Sequence, residues 1–237
     1  MNKKKTKSPD KIIFVAGSGL HKRFINYVAG LTNKPDPKIC YLPTAMGDHP
    51  NSILDWYVKC EGLPLQPFVL RTYIDSVTTQ LSFEEILMGM DAIIVGGGNT
   101  LNMMAIWKAQ GIDKLLKKAY KKGIVMAGGS AGSLCWFNAG STDSRPKKLS
   151  IVEGLGILNF SHSPHYHKES GRKPLYHQLI LSAELKAGYA CDDLAGLLFV
   201  NGQLKKSVAL DTENNNYFVS LKDGKIKEKL LPSEIIK

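Results

Sequence analysis

The feature that most constrains the fold is a regular alternation of short, continuous apolar runs with helix-like stretches. A strand with one wet face alternates apolar and polar residues, whereas a strand buried on both faces is apolar throughout. The runs therefore predict a parallel sheet covered by helices in right-handed βαβ units. The predicted strands are Ile12–Ala16, Ile39–Leu42, Phe68–Leu70, Ala92–Val95 and Ile124–Ala127. The predicted helices are Lys22–Ala29, Ser52–Cys60, Phe83–Met88, Leu101–Lys108 and Lys114–Lys121.

Local signals mark two of the helix ends. Ser82 and Glu85 form an S-x-x-E capping box at the start of one helix. Gly123 follows a basic last turn, where glycine commonly ends a helix. These boundaries support the assignment of the stretches between the apolar runs to helices.

The C-terminal part of the chain has a different pattern. Strand-like segments are separated by turn sequences such as Asn201-Gly202 and Asp223-Gly224. We expect these segments to form an antiparallel edge on a doubly wound, mostly parallel α/β sheet. They are Gly196–Leu204, Ser207–Leu210 and Tyr217–Leu221. No linker rich in Pro, Gly or Ser divides the chain, so residues 11–237 are predicted as one domain after a disordered, charged tail at 1–10.

Composition and charge exclude several classes of protein. No apolar run approaches the roughly 20 residues that cross a bilayer, so no membrane partner is expected. The net charge of +10 comes from lysines scattered along the chain without interleaved aromatics, so no nucleic-acid partner is expected. The four cysteines form no CxxC pair and indicate reduced thiols in a cytoplasmic protein. They are Cys40, Cys60, Cys135 and Cys191.

The strongest chemical signal is the segment Gly128-Gly129-Ser130-Ala131-Gly132, which reads G-x-S-x-G. It lies between a predicted strand and a helical-looking SLCWF, the context of a nucleophile elbow. In such a turn Ser130 projects from the sheet edge, and the N–H of Ala131 points to where an oxyanion forms. The alternative is a plain glycine-rich turn. Ser133 is a competing hydroxyl, but it lacks the elbow position.

A serine nucleophile requires a base, and histidines cluster downstream of the elbow. His165 follows a strand-like run, Leu155–Phe160, and Pro164 restricts the backbone before it. A base just past a strand reaches the same sheet edge as Ser130. We expect packing or surface roles for the other histidines of the cluster, which are His162, His167 and His177.

A zinc site is the alternative interpretation of this cluster. His165, His167 and Glu169 occupy alternating positions of one segment, but no fourth ligand is evident. We therefore expect no metal and no organic cofactor.

Two other glycine-rich loops follow predicted strands. Gly96-Gly97-Gly98 exposes backbone N–H groups near a helix start, which suits a phosphate or a second oxyanion donor. Gly17-Ser18-Gly19 resembles the start of a dinucleotide fingerprint, but Lys22 stands where the third glycine belongs. A nicotinamide-dependent oxidoreductase is therefore disfavoured.

Three segments in order, VGGGNTLNMM, GGSAGSLCWF and SPHYH, resemble the peptidase E (alpha-aspartyl dipeptidase) family of serine peptidases. More widely they resemble cyanophycinase-like and class I glutamine amidotransferase-like folds. The resemblance covers the chain from about Lys11 to Leu221. It implies a flavodoxin-like α/β fold with a nucleophilic serine, a histidine base and an acidic third residue.

The resemblance also implies roles for individual residues. Ser130 matches the nucleophile and His165 the base, with the N–H groups of Gly98 and Ala131 as oxyanion donors. The third residue is Asp143 by its place between nucleophile and base, and Asp193 is the alternative. The family clamps a substrate aspartate with a basic residue beyond the catalytic histidine. Arg172 lies in that region of this chain, where a solvated basic loop is the alternative.

The predicted activity is that of a cytoplasmic serine peptidase, a monomer or homodimer, acting on dipeptides or short peptides. The family adds a preference for N-terminal aspartate. Two alternatives remain open at this point: an esterase or amidase on the same fold, and a catalytically silent protein that binds a small molecule at the elbow.

Overall fold

The secondary structure follows the predicted alternation through the first half of the chain. The structure, a computed structural model, describes residues 9–73 and 81–236. Within them the helices are α1 (Lys22–Leu31), α2 (Pro50–Cys60), α3 (Phe83–Met88), α4 (Thr100–Gln110), α5 (Ile112–Lys122), α6 (Ala131–Leu134) and α7 (Arg172–Leu181). The strands are β1 (Ile12–Ala16), β2 (Lys38–Leu42), β3 (Gln66–Val69), β4 (Ala92–Val95), β5 (Val125–Gly129), β6 (Phe137–Arg145), β7 (Lys148–Glu153), β8 (Leu158–Ser163), β9 (Gly188–Cys191), β10 (Ala195–Val200), β11 (Gln203–Ala209), β12 (Asn216–Lys222), β13 (Lys225–Leu231) and β14 (Glu234–Ile235).

Both predicted helix-end signals are present. The Ser82 side chain accepts from the Glu85 N–H (3.2 Å), and the Glu85 carboxylate accepts from the Ser82 N–H (2.8 Å), which completes the capping box of α3. Helix α5 ends at Gly123, whose φ of +91° is the left-handed conformation that glycine adopts with little strain.

The apolar runs form strands whose two faces are both covered. In β1, Ile13 and Val15 belong to the hydrophobic core on one face of the sheet, whereas Phe14 and Ala16 belong to the core on the other. Neither face of this strand meets water, which explains the absence of polar alternation in its sequence.

The central sheet contains eight strands among the described residues, in the order β14-β11-β10-β1-β5-β4-β2-β3. The pairs β1–β5, β5–β4, β4–β2 and β2–β3 are parallel. Strands β10 and β11 pair antiparallel beside β1 and form the predicted antiparallel edge. The predicted α/β class with a mostly parallel sheet is therefore confirmed.

A second sheet departs from the sequence prediction. Six described strands form it, in the order β13-β12-β9-β8-β6-β7. The segment predicted as an outer edge strand, Tyr217–Leu221, lies in this sheet and pairs with β9 and β13. The helix expected from SLCWF ends at Leu134, and the chain enters β6 at Phe137. Trp136 and Phe137 are fully buried between the sheets, so tertiary packing overrides the local helical pattern.

The two sheets share one hydrophobic core, and we propose on this basis that residues 11–237 form one domain. Phe137 of the second sheet contacts Phe199 of the central sheet edge-on, with ring centroids 5.8 Å apart. Most of the tail predicted at 1–10 lies outside the described residues. Within the described part, Asp10 accepts a hydrogen bond from Asn201 (2.9 Å).

Asn216 joins the two sheets by hydrogen bonds. It begins β12 and is fully buried. Its amide nitrogen donates to the carbonyls of Gly196 (3.1 Å) and Val208 (3.0 Å), both in the central sheet.

We expect Asn216→Ala to lower the free energy of unfolding by about 1–3 kcal/mol, because it leaves two buried carbonyls without their donor. Urea denaturation followed by circular dichroism measures the change. The matched control is Asn102→Ala on the exposed side of α4, expected to change stability by at most about 0.5 kcal/mol. Equal effects of the two substitutions would contradict the role of Asn216.

Candidate active site

Ser130 occupies a strained turn between β5 and α6. Its backbone has φ +54° and ψ −120°, a region that residues with a side chain rarely adopt. A Cβ on Gly128 would lie 2.0 Å from the carbonyl oxygen of Gly132, and one on Gly132 would lie 2.1 Å from that of Val95. Only glycine fits at these two positions, so the G-x-S-x-G spacing follows from the tightness of the turn.

His165 contacts Ser130 and Asp193 at the same time. Its Nε2 lies 2.8 Å from Ser130 Oγ, and its Nδ1 lies 2.7 Å from Asp193 Oδ1. An ionised carboxylate only accepts, so Nδ1 carries the hydrogen and Nε2 accepts from the serine hydroxyl. The histidine and aspartate side chains are 19% and 29% exposed, so the pair is partly shielded from water. Such an arrangement can activate a hydroxyl for attack on a carbonyl carbon.

The carboxylate that contacts His165 is therefore Asp193, the alternative, rather than Asp143. Asp193 lies in the turn between β9 and β10, at the end of the sheet where Ser130 stands. Asp143 lies in β6, and its side chain is 67% exposed. Its ion-pair partner is Arg172, at 3.9 Å. The structure does not bring Asp143 into contact with the imidazole.

The end of β1 holds all three residues through backbone contacts. The Ala16 carbonyl accepts from the Ser130 N–H (3.2 Å), and the Gly17 carbonyl accepts from the His165 N–H (3.3 Å). The Ser18 hydroxyl donates to the Asp193 carbonyl (2.7 Å). The sequence of this glycine turn indicates only a weak likeness to a dinucleotide fingerprint, because long-range contacts of this kind leave no local pattern.

The two predicted oxyanion donors lie in segments that border Ser130. Ala131 is the first residue of α6, and Gly98, with φ +129°, lies in the loop after β4. Among the described residues, neither N–H donates a hydrogen bond to another residue. The same loop passes close to the serine, since a Cβ on Gly97 would lie 3.7 Å from Ser130 Oγ. Both N–H groups are thus unpaired in segments that border Ser130.

Arg172 is not placed as a substrate clamp. Its side chain is 2% exposed. The guanidinium donates to the carboxylate of Glu169 and, at 2.7 Å, to the carbonyl of Ser141. These contacts join the start of α7 to β6. The sequence could not reveal this burial, because a basic loop beside a site has the same composition whether it is folded inward or solvated.

A second serine–histidine pair lies beneath the elbow. Ser133 is buried, and its Oγ lies 2.6 Å from the Ser130 carbonyl oxygen and 2.9 Å from His162 Nε2. The Nδ1 of His162 donates to the Tyr189 carbonyl (3.1 Å). Burial lowers the pKa of His162 from 6.5 to about 3, so the ring is neutral and Nε2 accepts from Ser133. The Ser133–His162 pair thus packs against the backbone of the strained Ser130 and helps to hold it in place.

The residues of the zinc alternative do not converge on one point. His165 contacts Ser130 and Asp193, whereas the Nδ1 of His167 lies 2.9 Å from Asp192 and Glu169 pairs with Arg172. Across the described ranges, no group of three or more His, Cys, Asp or Glu side chains is arranged to hold a metal ion.

Comparison with known proteins decides the family. Residues 13–207 match the protein family described as Peptidase family S51. The chain belongs to peptidase family S51. A Bacillus subtilis (strain 168) protein named uncharacterized peptidase YgaJ is 40% identical over 227 residues, which cover 94% of this chain and 97% of that protein. The resemblance to peptidase E is confirmed, and this S51 member is a serine-type peptidase.

Further relatives are more distant. A Drosophila melanogaster protein named probable alpha-aspartyl dipeptidase is 26% identical over 131 residues, 54% of this chain and 52% of that protein. A peptidase from an acI-B1 actinobacterium superposes with a TM-score of 0.74 at 17% identity, covering 95% and 96% of the two chains. A putative peptidase E protein from Listeria monocytogenes EGD-e gives 0.62 at 20% identity, covering 85% and 100%. These two structures support the fold.

The S51 chain contains no candidate membrane span within its described residues, since none of those helices combines the necessary length and apolar character.

We expect the free energy of unfolding to fall on acidification between the unfolded-state and folded-state pKa values of His162. Between pH 6.5 and about 3 the unfolded chain binds a proton at His162 that the folded protein does not. The free energy of unfolding therefore decreases as pH is lowered, by at most about 1.4 kcal/mol per pH unit from this residue. Urea denaturation of wild type and His162→Gln at about pH 7 and about pH 5 measures it. Identical pH dependence in the two proteins would contradict the prediction.

Proposed function

We propose that this peptidase hydrolyses dipeptides and other short peptides through Ser130, His165 and Asp193. The observation that carries the proposal is the continuous chain of contacts from hydroxyl to imidazole (2.8 Å) and from imidazole to carboxylate (2.7 Å). Each of these groups has the chemical capacity that its step requires, and the strained turn presents the hydroxyl outward.

The proposed reaction has two halves. Ser130 Oγ attacks the carbonyl carbon of the scissile peptide bond while His165 Nε2 takes the hydroxyl proton. Asp193 stabilises the resulting imidazolium through Nδ1. His165 then gives the proton to the leaving amine, and the C–N bond breaks to leave an acyl ester on Ser130. Water, activated by the same imidazole, hydrolyses that ester and restores the serine.

The N–H groups of Gly98 and Ala131 are the proposed oxyanion donors. Both are unpaired within the described part of the chain and lie in segments that border Ser130. Donors fixed in place act on the negative oxygen of the tetrahedral intermediate more strongly than on the ground-state carbonyl. Each such donor lowers the barrier by about 2.7–4 kcal/mol in comparable sites.

Specificity for N-terminal aspartate is not part of the proposal. That preference requires a cation to meet the substrate carboxylate, and the guanidinium of Arg172 is already occupied by Glu169 and the Ser141 carbonyl. Because the Drosophila relative is named a probable alpha-aspartyl dipeptidase, Asp-X dipeptides are included among the substrates to be assayed.

We also propose a cytoplasmic location, because all four cysteines are free thiols.

Ser130→Ala removes the nucleophile and should lower kcat by about 10⁶, as loss of the serine does in comparable peptidases. The fold should persist, since the hydroxyl projects from the turn. Release of free amine from Asp-Leu, Ala-Leu and Leu-Leu measures turnover, beside p-nitrophenyl esters and acyl amides. The matched control is Ser182→Ala at the exposed end of α7. Turnover of esters without peptides would indicate a different acyl hydrolase, and full activity of Ser130→Ala would sink the proposal.

Asp193→Asn and Asp143→Asn form a matched pair that tests the third residue. Loss of the carboxylate beside Nδ1 permits the wrong imidazole tautomer, so Asp193→Asn should lower kcat by about 10⁴. Asp143→Asn changes an exposed carboxylate and should leave kcat within about threefold of wild type. The measurement is kcat on the best dipeptide. A larger loss in Asp143→Asn than in Asp193→Asn would contradict the assignment.

A further inference from the structure

We propose that a cavity beside Ser130 binds one uncharged, apolar side chain of the peptide substrate. We call it the α2 pocket. It lies between helix α2 and the loops that follow β1 and β4, and it is lined in part by Gly19, Leu20, Trp56, Val95, Gly96 and Gly97. The inference rests on the proposed function and adds to it the chemical class of residue that flanks the scissile bond.

The position of the α2 pocket follows from the strand order. Strand β5, which carries Ser130, lies between β1 and β4 in the sheet. Gly19 follows β1 and Gly97 follows β4, so the pocket is bordered by the loops on both sides of the nucleophile. A Cβ on Gly97 would lie 3.2 Å from the Cβ of Ser130. A peptide bound at the serine hydroxyl therefore has this cavity next to its scissile bond.

The size of the pocket suits a single side chain. Its volume is about 200 Å³. Pockets that enclose whole drug-sized ligands occupy roughly 300–1,000 Å³. The α2 pocket is smaller than this range and has room for one side chain while the peptide backbone stays at the sheet edge.

Part of the pocket wall is apolar and well buried. Leu20, Trp56 and Ile94 are 8%, 3% and 1% exposed. The ring of Trp56 stacks on Tyr41 with centroids 5.2 Å apart and an interplanar angle of 16°. A preformed apolar wall favours an apolar guest, because the guest leaves water without displacing well-bound polar partners.

Four polar side chains of the pocket are paired with one another, whereas the Nε1–H of Trp56 is buried and has no partner among the described residues. The Tyr41 hydroxyl and Ser52 Oγ lie 2.8 Å apart, and burial raises the pKa of Tyr41, which keeps the phenol neutral. Lys59 Nζ lies 2.7 Å from the carboxylate of Asp55. Among the described residues that line the pocket, Lys59 is the one cation, and an aspartate side chain of the substrate would find it already paired. The charge balance therefore selects against acidic substrate residues.

Gly19→Leu provides the test by filling the pocket. A Cβ at Gly19 meets no atom within 4 Å, so the added side chain starts in open space. The probes are dipeptides that carry Ala, Leu, Phe or Asp at either position, with kcat/KM measured for each. Wild type should prefer Leu or Phe to Asp at one position. Gly19→Leu should lower the Phe-to-Ala ratio of kcat/KM at that position by about tenfold or more, within the range that pocket contacts supply.

The matched control is Gly30→Leu, another glycine with no atom near its Cβ, on α1 outside the pocket lining. It should keep the wild-type ratio. A wild-type preference for Asp at both positions, or an equal effect of Gly19→Leu on all peptides, overturns the pocket inference alone. Wild-type turnover no higher than that of Ser130→Ala on every peptide overturns the proposed function, and the inference falls with it.

Asp55→Asn tests the charge argument separately. It frees Lys59 from its partner, so Asp-containing dipeptides should gain about two- to fivefold in kcat/KM relative to Leu-containing ones, the scale of an exposed ion pair. A fall in the relative turnover of Asp-containing dipeptides would contradict the proposed neutrality of the pocket.

Discussion

Every functional contact in this peptidase depends on the end of one strand, β1. This strand pairs in parallel with β5, which carries Ser130, and antiparallel with β10, which follows Asp193. Its last residue and the two that follow bond to the backbone of Ser130, His165 and Asp193 in turn. Strand β1 lies inside the sheet and is buried on both faces, and Gly17 and Ser18 follow it directly. A rigid element thus sets the mutual distances of the three side chains, as a preorganised site requires.

The strain at Ser130 is balanced by neutral polar contacts beneath it. Non-glycine residues at positive φ cost free energy and persist only where their surroundings hold them. Here the Ser130 N–H donates to the Ala16 carbonyl, and the Ser130 carbonyl accepts from the Ser133 N–H, while the hydroxyl of Ser133 is held by buried His162. His162 stacks on Phe137, with centroids 4.5 Å apart, so the second sheet stabilises the elbow in the first. The second sheet therefore contributes to the geometry of the candidate active site.

The two sides of Ser130 differ in how their charges are used. On the side of the second sheet, Arg172 and Glu169 are paired and join α7 to β6, which occupies the guanidinium of Arg172. On the side of α2 the cavity is lined by apolar side chains and by paired polar ones, among them Lys59 with Asp55. In the function that we propose, the serine supplies the chemistry, whereas the lining of each side selects the peptide.

The sequence alone determined the parallel core and the elbow. Strands Ile12–Ala16 and Ala92–Val95 were predictable because burial on both faces leaves an unbroken apolar run, and the elbow because a tight turn demands glycine on either side of Ser130. Only the tertiary structure shows that Asp193, and not Asp143, contacts His165. Both are acidic residues near motif positions, and contact with His165 depends on how β9 and β10 are placed. A local sequence pattern reflects the burial and backbone geometry of its own segment. Contacts between distant segments depend on tertiary packing, which the sequence of no single segment specifies.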